Sequence, residues 1–139
     1  MVALLEIVSP ANKDRAASLE EFVEKAVLAL EQGVHVLLVD LHPPGPNDPQ
    51  GMYGAVWQRY DLGGYAAPAG KPLTLASYSA RSLPTAYVEP LGVGDALQEM
   101  PLFLHPDRYV NTPFEATYLA AYRCLPAYWR EVVEGRAQE

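Results

Sequence analysis

The apolar positions in the first third of the chain follow two patterns, short continuous runs and one helical stripe. The first run covers residues 2–8 and is interrupted only by Glu6, which is typical of a buried strand. Residues 19–31 then place apolar side chains three and four positions apart, the period of an amphipathic helix. A second run, VHVLLVDL, predicts another buried strand that ends near Asp40.

Boundary residues support these three elements. Ser18 and Glu21 have the Ser-x-x-Glu spacing of a capping box, and Gly33 is suited to the left-handed position that ends many helices. A strand, a helix and a strand with short connections make a β-α-β unit, so we expect parallel strands and a right-handed crossover. The carboxyl ends of such strands meet at one sheet edge, where α/β proteins usually bind ligands.

The pattern is less regular after the second strand. Proline and glycine dominate HPPGPNDPQG, which predicts a surface loop, and MYGAVWQRY predicts a short helix. Strands are predicted at Leu73–Ser79 and at residues 85–89. The segment PLFLHP predicts a short edge strand, because its flanking prolines suit the edge of a sheet.

Two helices are predicted near the end of the chain. The first begins at Pro113, where Thr112 and Glu115 have the spacing of a second capping box. The second covers residues 128–134. Together with the earlier elements, these helices predict a mixed α/β fold.

Length and composition favour a folded domain. The 139 residues are enough for one core, and we expect a single α/β domain over residues 1–135 with a frayed tail at 136–139. No apolar run approaches the ~20 residues of a membrane helix. The single cysteine, Cys124, excludes an internal disulfide framework, fits a cytoplasmic location and is expected in the core.

Charge limits the class of partner. The net charge is −7, from 10 basic and 17 acidic residues. That balance argues against a broad nucleic-acid surface, because such surfaces neutralise phosphates with lysine and arginine. The three histidines are too scattered to predict a metal triad, and His35, inside the second strand, is expected to be a hydrogen-bonded core residue.

Glu6 is the unusual residue of the first strand, since it is a carboxylate among apolar neighbours. A buried carboxylate costs free energy unless a base, a metal or several donors pair with it. Lys13, Lys25 and Asp40 are its candidate partners, and two carboxylates with a lysine can hold a divalent cation and orient a water. The structural alternatives are a solvated Lys25, Lys13 and Arg15 as solubilising loop residues, and an Asp40 that accepts bonds from the following loop.

Several segments carry a resemblance to a known family. LLEIVSPANKDR, FVEKAV and GVHVLLVDL resemble a bacterial family known only as domain of unknown function 4058. HPPGPNDPQG, GKPLTLASY, AYVEPLGVGDAL, PLFLHPDRYV and PFEATYLAAY resemble the form of that family found in planctomycetes. The resemblance covers nearly the whole chain but implies little chemistry, because the family has no established activity.

A more distant resemblance implies a site. A glutamate in an apolar strand, Ser-Pro, a helix with a lysine, Gly-Val and a strand ending in Val-Asp are similar to the Uma-two-type family of the PD-(D/E)xK superfamily. That superfamily is restriction-endonuclease-like. The resemblance implies Glu6 as the catalytic and metal-binding acid and Lys25 as the catalytic, charge-stabilising lysine. Asp40 matches the strand-ending aspartate and is the second candidate ligand, with Mg²⁺ as the candidate cofactor.

The residues before Glu6 bear on function. The superfamily's site also uses an acid from an earlier strand, but none of the five residues before Glu6 is acidic, so we expect the N-terminal elements of the fold to be missing. This favours a degenerate, non-catalytic relative used for binding or assembly. The alternative is a Mg²⁺-dependent nuclease-like phosphodiesterase. The exposed edge of the first strand favours a homo-oligomer; nucleic acid is a disfavoured partner, and no membrane is expected.

Overall fold

A four-stranded mixed sheet forms the centre of the fold, and the computed structural model describes residues 1–136. The strands are β1 (Ala3–Ile7), β2 (His35–Asp40), β3 (Leu73–Ser79) and β4 (Thr85–Leu91). Their order in the sheet is β1-β2-β3-β4. β1 runs parallel to β2, and the other two pairs are antiparallel.

The predicted β-α-β unit is confirmed. Helix α1 (Ala16–Glu31) connects the parallel strands β1 and β2, and Gly33 adopts the left-handed conformation, at φ +78°, just after it. The predicted capping box is wrong, because α1 begins earlier and Arg15 is its N-cap. The two alanines that open α1 are strong helix formers, which lets the helix begin before Ser18.

Helices cover one face of the sheet. Helix α1 and the short helix α2 (Gly51–Trp57), which continues into a 3-10 turn at Gln58–Tyr60, pack there. The prediction of a helix in MYGAVWQRY is therefore confirmed. The buried residues of this layer are Val8, Phe22, Val23, Ala26, Leu30, Val36, Leu38, Met52, Tyr53, Val56, Ala76, Tyr78 and Ala80.

A β-hairpin covers the other face. Its strands are β5 (Met100–His105) and β6 (Arg108–Thr112), which form a separate two-stranded sheet. The core of this layer consists of Leu37, Val39, Leu75, Leu91 and Met100. The strand predicted in PLFLHP is confirmed as β5, whereas β6 is not predicted by the pattern, because its residues are nearly all exposed and show no apolar alternation.

Two helices follow the hairpin, α3 (Phe114–Cys124) and α4 (Ala127–Val133). The predicted cap of α3 is wrong, since Pro113 is the N-cap and Glu115 instead accepts a hydrogen bond from the backbone N–H of Leu97 at 2.9 Å. Cys124 is exposed, so the expectation that it lies in the core is also wrong. Residues 137–139 of the predicted tail lie outside the described residues.

The structure also bears on the expected absence of a membrane segment. Within residues 1–136, no helix combines the length and the apolar character that crossing a membrane requires.

Candidate functional site

Glu6 and Lys25, the acid and the lysine implied by the distant resemblance, lie side by side. Glu6 is the fourth residue of β1, and Lys25 is on α1. The Lys25 Nζ atom is 2.6 Å from Glu6 Oε1. The Glu6 side chain is 17% exposed and that of Lys25 is 56% exposed, so the pair lies at the surface between the strand and the helix.

An open groove of about 310 Å³ adjoins this ion pair. Its charged lining residues are the basic Arg15 and Lys25 and the acidic Glu6 and Glu21. Asn12 and Ser18 add neutral polar groups. The groove thus offers two carboxylates, two cations and neutral hydrogen-bonding side chains, a set that can bind a small polar group.

Asp40 belongs to a different cluster at the carboxyl end of β2. It is 2% exposed, and both of its carboxylate oxygens lie 2.9 Å from the Nζ atom of Lys13. It also accepts hydrogen bonds from the backbone N–H groups of His42 at 3.3 Å and Met52 at 3.1 Å. The interpretation of Asp40 as an acceptor for the following loop is therefore confirmed.

Lys13 is the centre of that cluster. It is 8% exposed, so its interpretation as a solubilising loop residue is wrong. Besides contacting Asp40, it donates to the backbone carbonyl oxygens of His42 at 2.7 Å and Pro43 at 3.3 Å. Its nitrogen is also 3.0 Å from Asp48 Oδ2. A buried ammonium is stable here because two carboxylates and two carbonyls surround it.

Asp48 is the member of the cluster that the sequence analysis missed. Its Oδ1 atom accepts the backbone N–H of Gly45 at 2.8 Å, which makes a local turn within the proline-rich loop. Its Oδ2 atom is buried and, among the described residues, has the Lys13 ion contact but no well-aligned hydrogen-bond donor. The available signal was an aspartate three residues after a glycine in a loop of prolines, a turn-forming arrangement.

The Lys13 cluster fixes the loop HPPGPNDPQG to the body of the protein. In addition to the contacts above, Asn47 Nδ2 donates to the backbone carbonyl of Lys13 at 3.0 Å. The loop therefore returns to the β1–α1 connection at several points. An arrangement of buried, ion-paired charges of this kind positions the backbone and leaves the carboxylates little exposed to an external ligand.

The structure does not bring Asp40 into the Glu6–Lys25 pair. Glu6 lies opposite Leu38 in the parallel register, two residues before Asp40, and each carboxylate pairs with its own lysine. In residues 1–136 there is no group of three or more histidine, cysteine, aspartate or glutamate side chains placed to hold a metal ion. A joint metal role for Glu6 and Asp40 stays a prediction.

His35 is a core histidine, as predicted. It is buried in β2, and its Nδ1 atom accepts the backbone N–H of Ala80 at 2.9 Å, so the neutral ring carries its proton on Nε2. Burial lowers the pKa of His35 below the ordinary value of 6.5, and the nearby charges of His105 and Arg81 lower it further. The side chain therefore acts as a neutral structural acceptor.

Comparison with known proteins finds no match for this chain. The sequence matches no family model, no curated protein and no solved structure. The chain is a mixed α/β fold with one four-stranded and one two-stranded sheet, and its family resemblance stays a prediction.

Proposed function

We propose that this chain is a restriction-endonuclease-like domain of the PD-(D/E)xK type that has lost catalysis and serves in binding or assembly. Its partner is a second copy of the same chain, which it contacts through the edge of β1. The observation that carries the proposal is the open outer edge of this strand, which lies at the end of the sheet order.

The backbone hydrogen-bonding groups of β1 point alternately toward β2 and toward the open edge of the sheet. At the two ends of the ladder, Val8 N–H bonds to Val39 O at 2.9 Å, and His35 N–H bonds to Val2 O at 3.0 Å. In a regular parallel ladder, every second residue bonds to a given neighbour. The N–H and C=O groups of Ala3, Leu5 and Ile7 therefore point outward, away from β2.

The side chains of β1 add an apolar surface to this edge. Leu5 is 40% exposed and Ile7 is 67% exposed, and Met1 and Val2 are exposed beside them. Edge strands that avoid pairing usually carry proline or charged side chains, above all lysine. Ala3–Ile7 contains neither proline nor lysine, and its one charge, Glu6, is paired with Lys25, so the strand has the features of a pairing surface.

A twofold axis through Leu5 gives a symmetric antiparallel pairing. Leu5 then lies opposite Leu5 of the partner, and Ala3 lies opposite Ile7, so all outward backbone groups are matched in hydrogen-bonded pairs. Glu6 lies opposite Leu4 and not opposite another Glu6, and its charge is already paired with Lys25. The pairing therefore brings no like charges together across the strands.

The buried cluster supports the loss of catalysis. Asp40, one of the two acids that the resemblance assigns to the metal, is held by Lys13 and by two backbone N–H groups. An external Mg²⁺ would have to displace the Lys13 ammonium from this carboxylate. Such a displacement would leave a buried lysine without its partner, which is strongly unfavourable.

Amide hydrogen exchange measured residue by residue tests the proposal. Raising the protein concentration should slow exchange at Leu5 and Ile7, whose N–H groups become paired between copies. Leu4 and Glu6, whose N–H groups face β2, are the internal control and should change little. Equal exchange rates at Leu5 and Ile7 in dilute and concentrated samples would contradict the proposed contact through the edge of β1.

The second candidate function is a Mg²⁺-dependent nuclease-like phosphodiesterase. The specific observation in its favour is that Glu6 and Lys25 are adjacent and border the groove that also contains Arg15. In this function Glu6 would hold the metal, and Lys25 would stabilise charge on the phosphate. Cleavage of DNA in Mg²⁺ that is lost in Lys25→Met but kept in Lys71→Met would establish it in place of the first proposal.

A further inference from the structure

The last two helices form an arm that contacts the rest of the protein through its first turn, where Phe114 packs against the core and Glu115 accepts a hydrogen bond from Leu97, and that is largely exposed beyond this turn. The C-terminal arm is defined here as residues 113–136, which include α3 and α4. No residue of either helix is buried within the described structure. The buried residues of both core clusters therefore all lie before the arm, which adds the partly buried Phe114 against the second cluster.

Helices of this length need packing to be stable. Isolated helices shorter than about 12–15 residues are marginal in water, and α3 and α4 have 11 and 7 residues. Within the arm, Tyr128 and Trp129 make an edge-to-face contact with ring centroids 5.2 Å apart, and Tyr122 contacts Glu134. These few contacts within the arm leave most of its apolar surface open to a partner.

Four apolar residues of α4 lie on one side of the helix. In α4, Tyr128 and Val132 are four residues apart, as are Trp129 and Val133, so the four side chains lie on one side of the helix. Trp129 is 55% exposed. The other large exposed apolar residues of the arm are Tyr118, Leu119, Tyr128, Val132 and Val133.

Charge distinguishes the arm from the remainder of the chain. Residues 113–136 contain three arginines and three glutamates and are neutral overall. Residues 1–112 contain seven basic and thirteen acidic residues, a net charge of −6. Residues 1–112 of two copies repel each other because both are negatively charged. A contact made through the neutral arm adds the least to this repulsion.

We propose that the C-terminal arm packs against the arm of a second copy of this chain around a twofold axis, as a small helical bundle. This contact is separate from the β1 edge and does not rest on it. The arginines and glutamates of the arm would form its polar rim, where opposite charges from the two copies can meet.

The exposed area is sufficient for such a contact only if most of the arm takes part. Tyr118, Tyr128 and Trp129, each of roughly 200 Å² and each more than half exposed, present about 340 Å². A stable interface buries ~800 Å² on each partner. The remaining area must come from Leu119, Val132 and Val133 and from the charged rim, so both helices must be in contact.

The test uses the full chain with the β1 edge blocked by Leu5→Lys, so that the two contacts are measured separately. In this background we expect light scattering to give twice the mass of the 15.2 kDa chain. Adding Tyr128→Glu should reduce this mass by half. Tyr109→Glu is the matched control, since Tyr109 is similarly exposed and also makes one edge-to-face aromatic contact, with Phe103, and it should keep the doubled mass.

Circular dichroism shows whether each variant still has its sheet, so a loss of mass cannot be confused with unfolding. A Leu5→Lys protein that is already monomeric, or a Tyr128→Glu variant that keeps the doubled mass, would overturn the proposal. A monomer in which neutral phosphatidylcholine vesicles shift the fluorescence of Trp129 to the blue, measured with Trp57→Phe, would assign the arm to a lipid surface and would also overturn it.

Discussion

The Nζ atom of Lys13 lies 2.9 Å from both carboxylate oxygens of Asp40, although 27 residues separate the two in the chain. This contact joins the connection after β1 to the end of β2 and, through Asp48, to the proline-rich loop that follows. The lysine therefore acts as a central cation around which the loop is folded. Removing Lys13 should lower the free energy of unfolding more than removing any solvent-exposed lysine.

Lys13→Met should lower the free energy of unfolding by about 3–5 kcal/mol, because it leaves two buried carboxylates without their cation. Chemical denaturation measures the change. Lys71→Met is the matched control, since Lys71 is exposed and its nitrogen is 3.9 Å from Asp95; a change of about 0.5 kcal/mol or less is expected there. Similar small effects for both variants would contradict the role of the Lys13 cluster.

The two aspartates of the cluster should differ in their importance. Asp40 accepts bonds from Lys13 and from two backbone N–H groups, whereas Asp48 accepts one backbone N–H and makes one ion contact. We expect Asp40→Asn to cost about 3 kcal/mol and Asp48→Asn about 1 kcal/mol. A larger loss of stability in Asp48→Asn than in Asp40→Asn, read from denaturation midpoints, would contradict this order of importance.

His35 should make the protein less stable as the pH falls. Burial, with His105 and Arg81 nearby, lowers the pKa of His35 in the folded chain, whereas the unfolded chain binds its proton near pH 6.5. The unfolded state therefore gains protons first, and stability is full above pH 6.5 and decreases below it. In denaturation at several pH values, His35→Gln should flatten this dependence and His42→Gln should keep it.

The effect of divalent metal ions on the unfolding temperature distinguishes the two proposed functions. A ligand that binds only the folded state raises its stability, so a working metal site would show a rise in unfolding temperature with Mg²⁺ or Mn²⁺ that disappears in Glu6→Gln. The assembly function predicts no such rise, and a Glu6→Gln variant about as stable as the wild type. A metal-dependent rise that requires Glu6 would favour the nuclease-like function.

Much of the first half of the fold could be predicted from the sequence, because its signals are local. The apolar runs, the helical period of α1 and Gly33 each depend on residues close in the chain, and all are confirmed. The resemblance assigned both Glu6 and Lys25 to one site, and the two side chains lie side by side. These contacts lie between elements that are adjacent in sequence.

The remaining features depend on distant contacts. Lysine is rarely buried, so nothing local distinguishes Lys13 from a solvated loop residue, and only the approach of Asp40 and Asp48 stabilises it inside. β6 is exposed and shows no alternation, so its strand conformation comes from pairing with β5. The apolar pattern of the C-terminal helices normally predicts burial, so the sequence gives no sign that these helices are exposed.

The mass of the particle in solution tests the assembly function most directly. Light scattering should be measured over a range of concentrations for the wild type, for Leu5→Lys and for the control Leu28→Lys, which places the same charge at an exposed leucine of α1. We predict that Leu5→Lys lowers the wild-type mass by at least half and that Leu28→Lys leaves it unchanged. A wild type that stays at 15.2 kDa at every concentration, or a Leu5→Lys variant that keeps the wild-type mass, would contradict it.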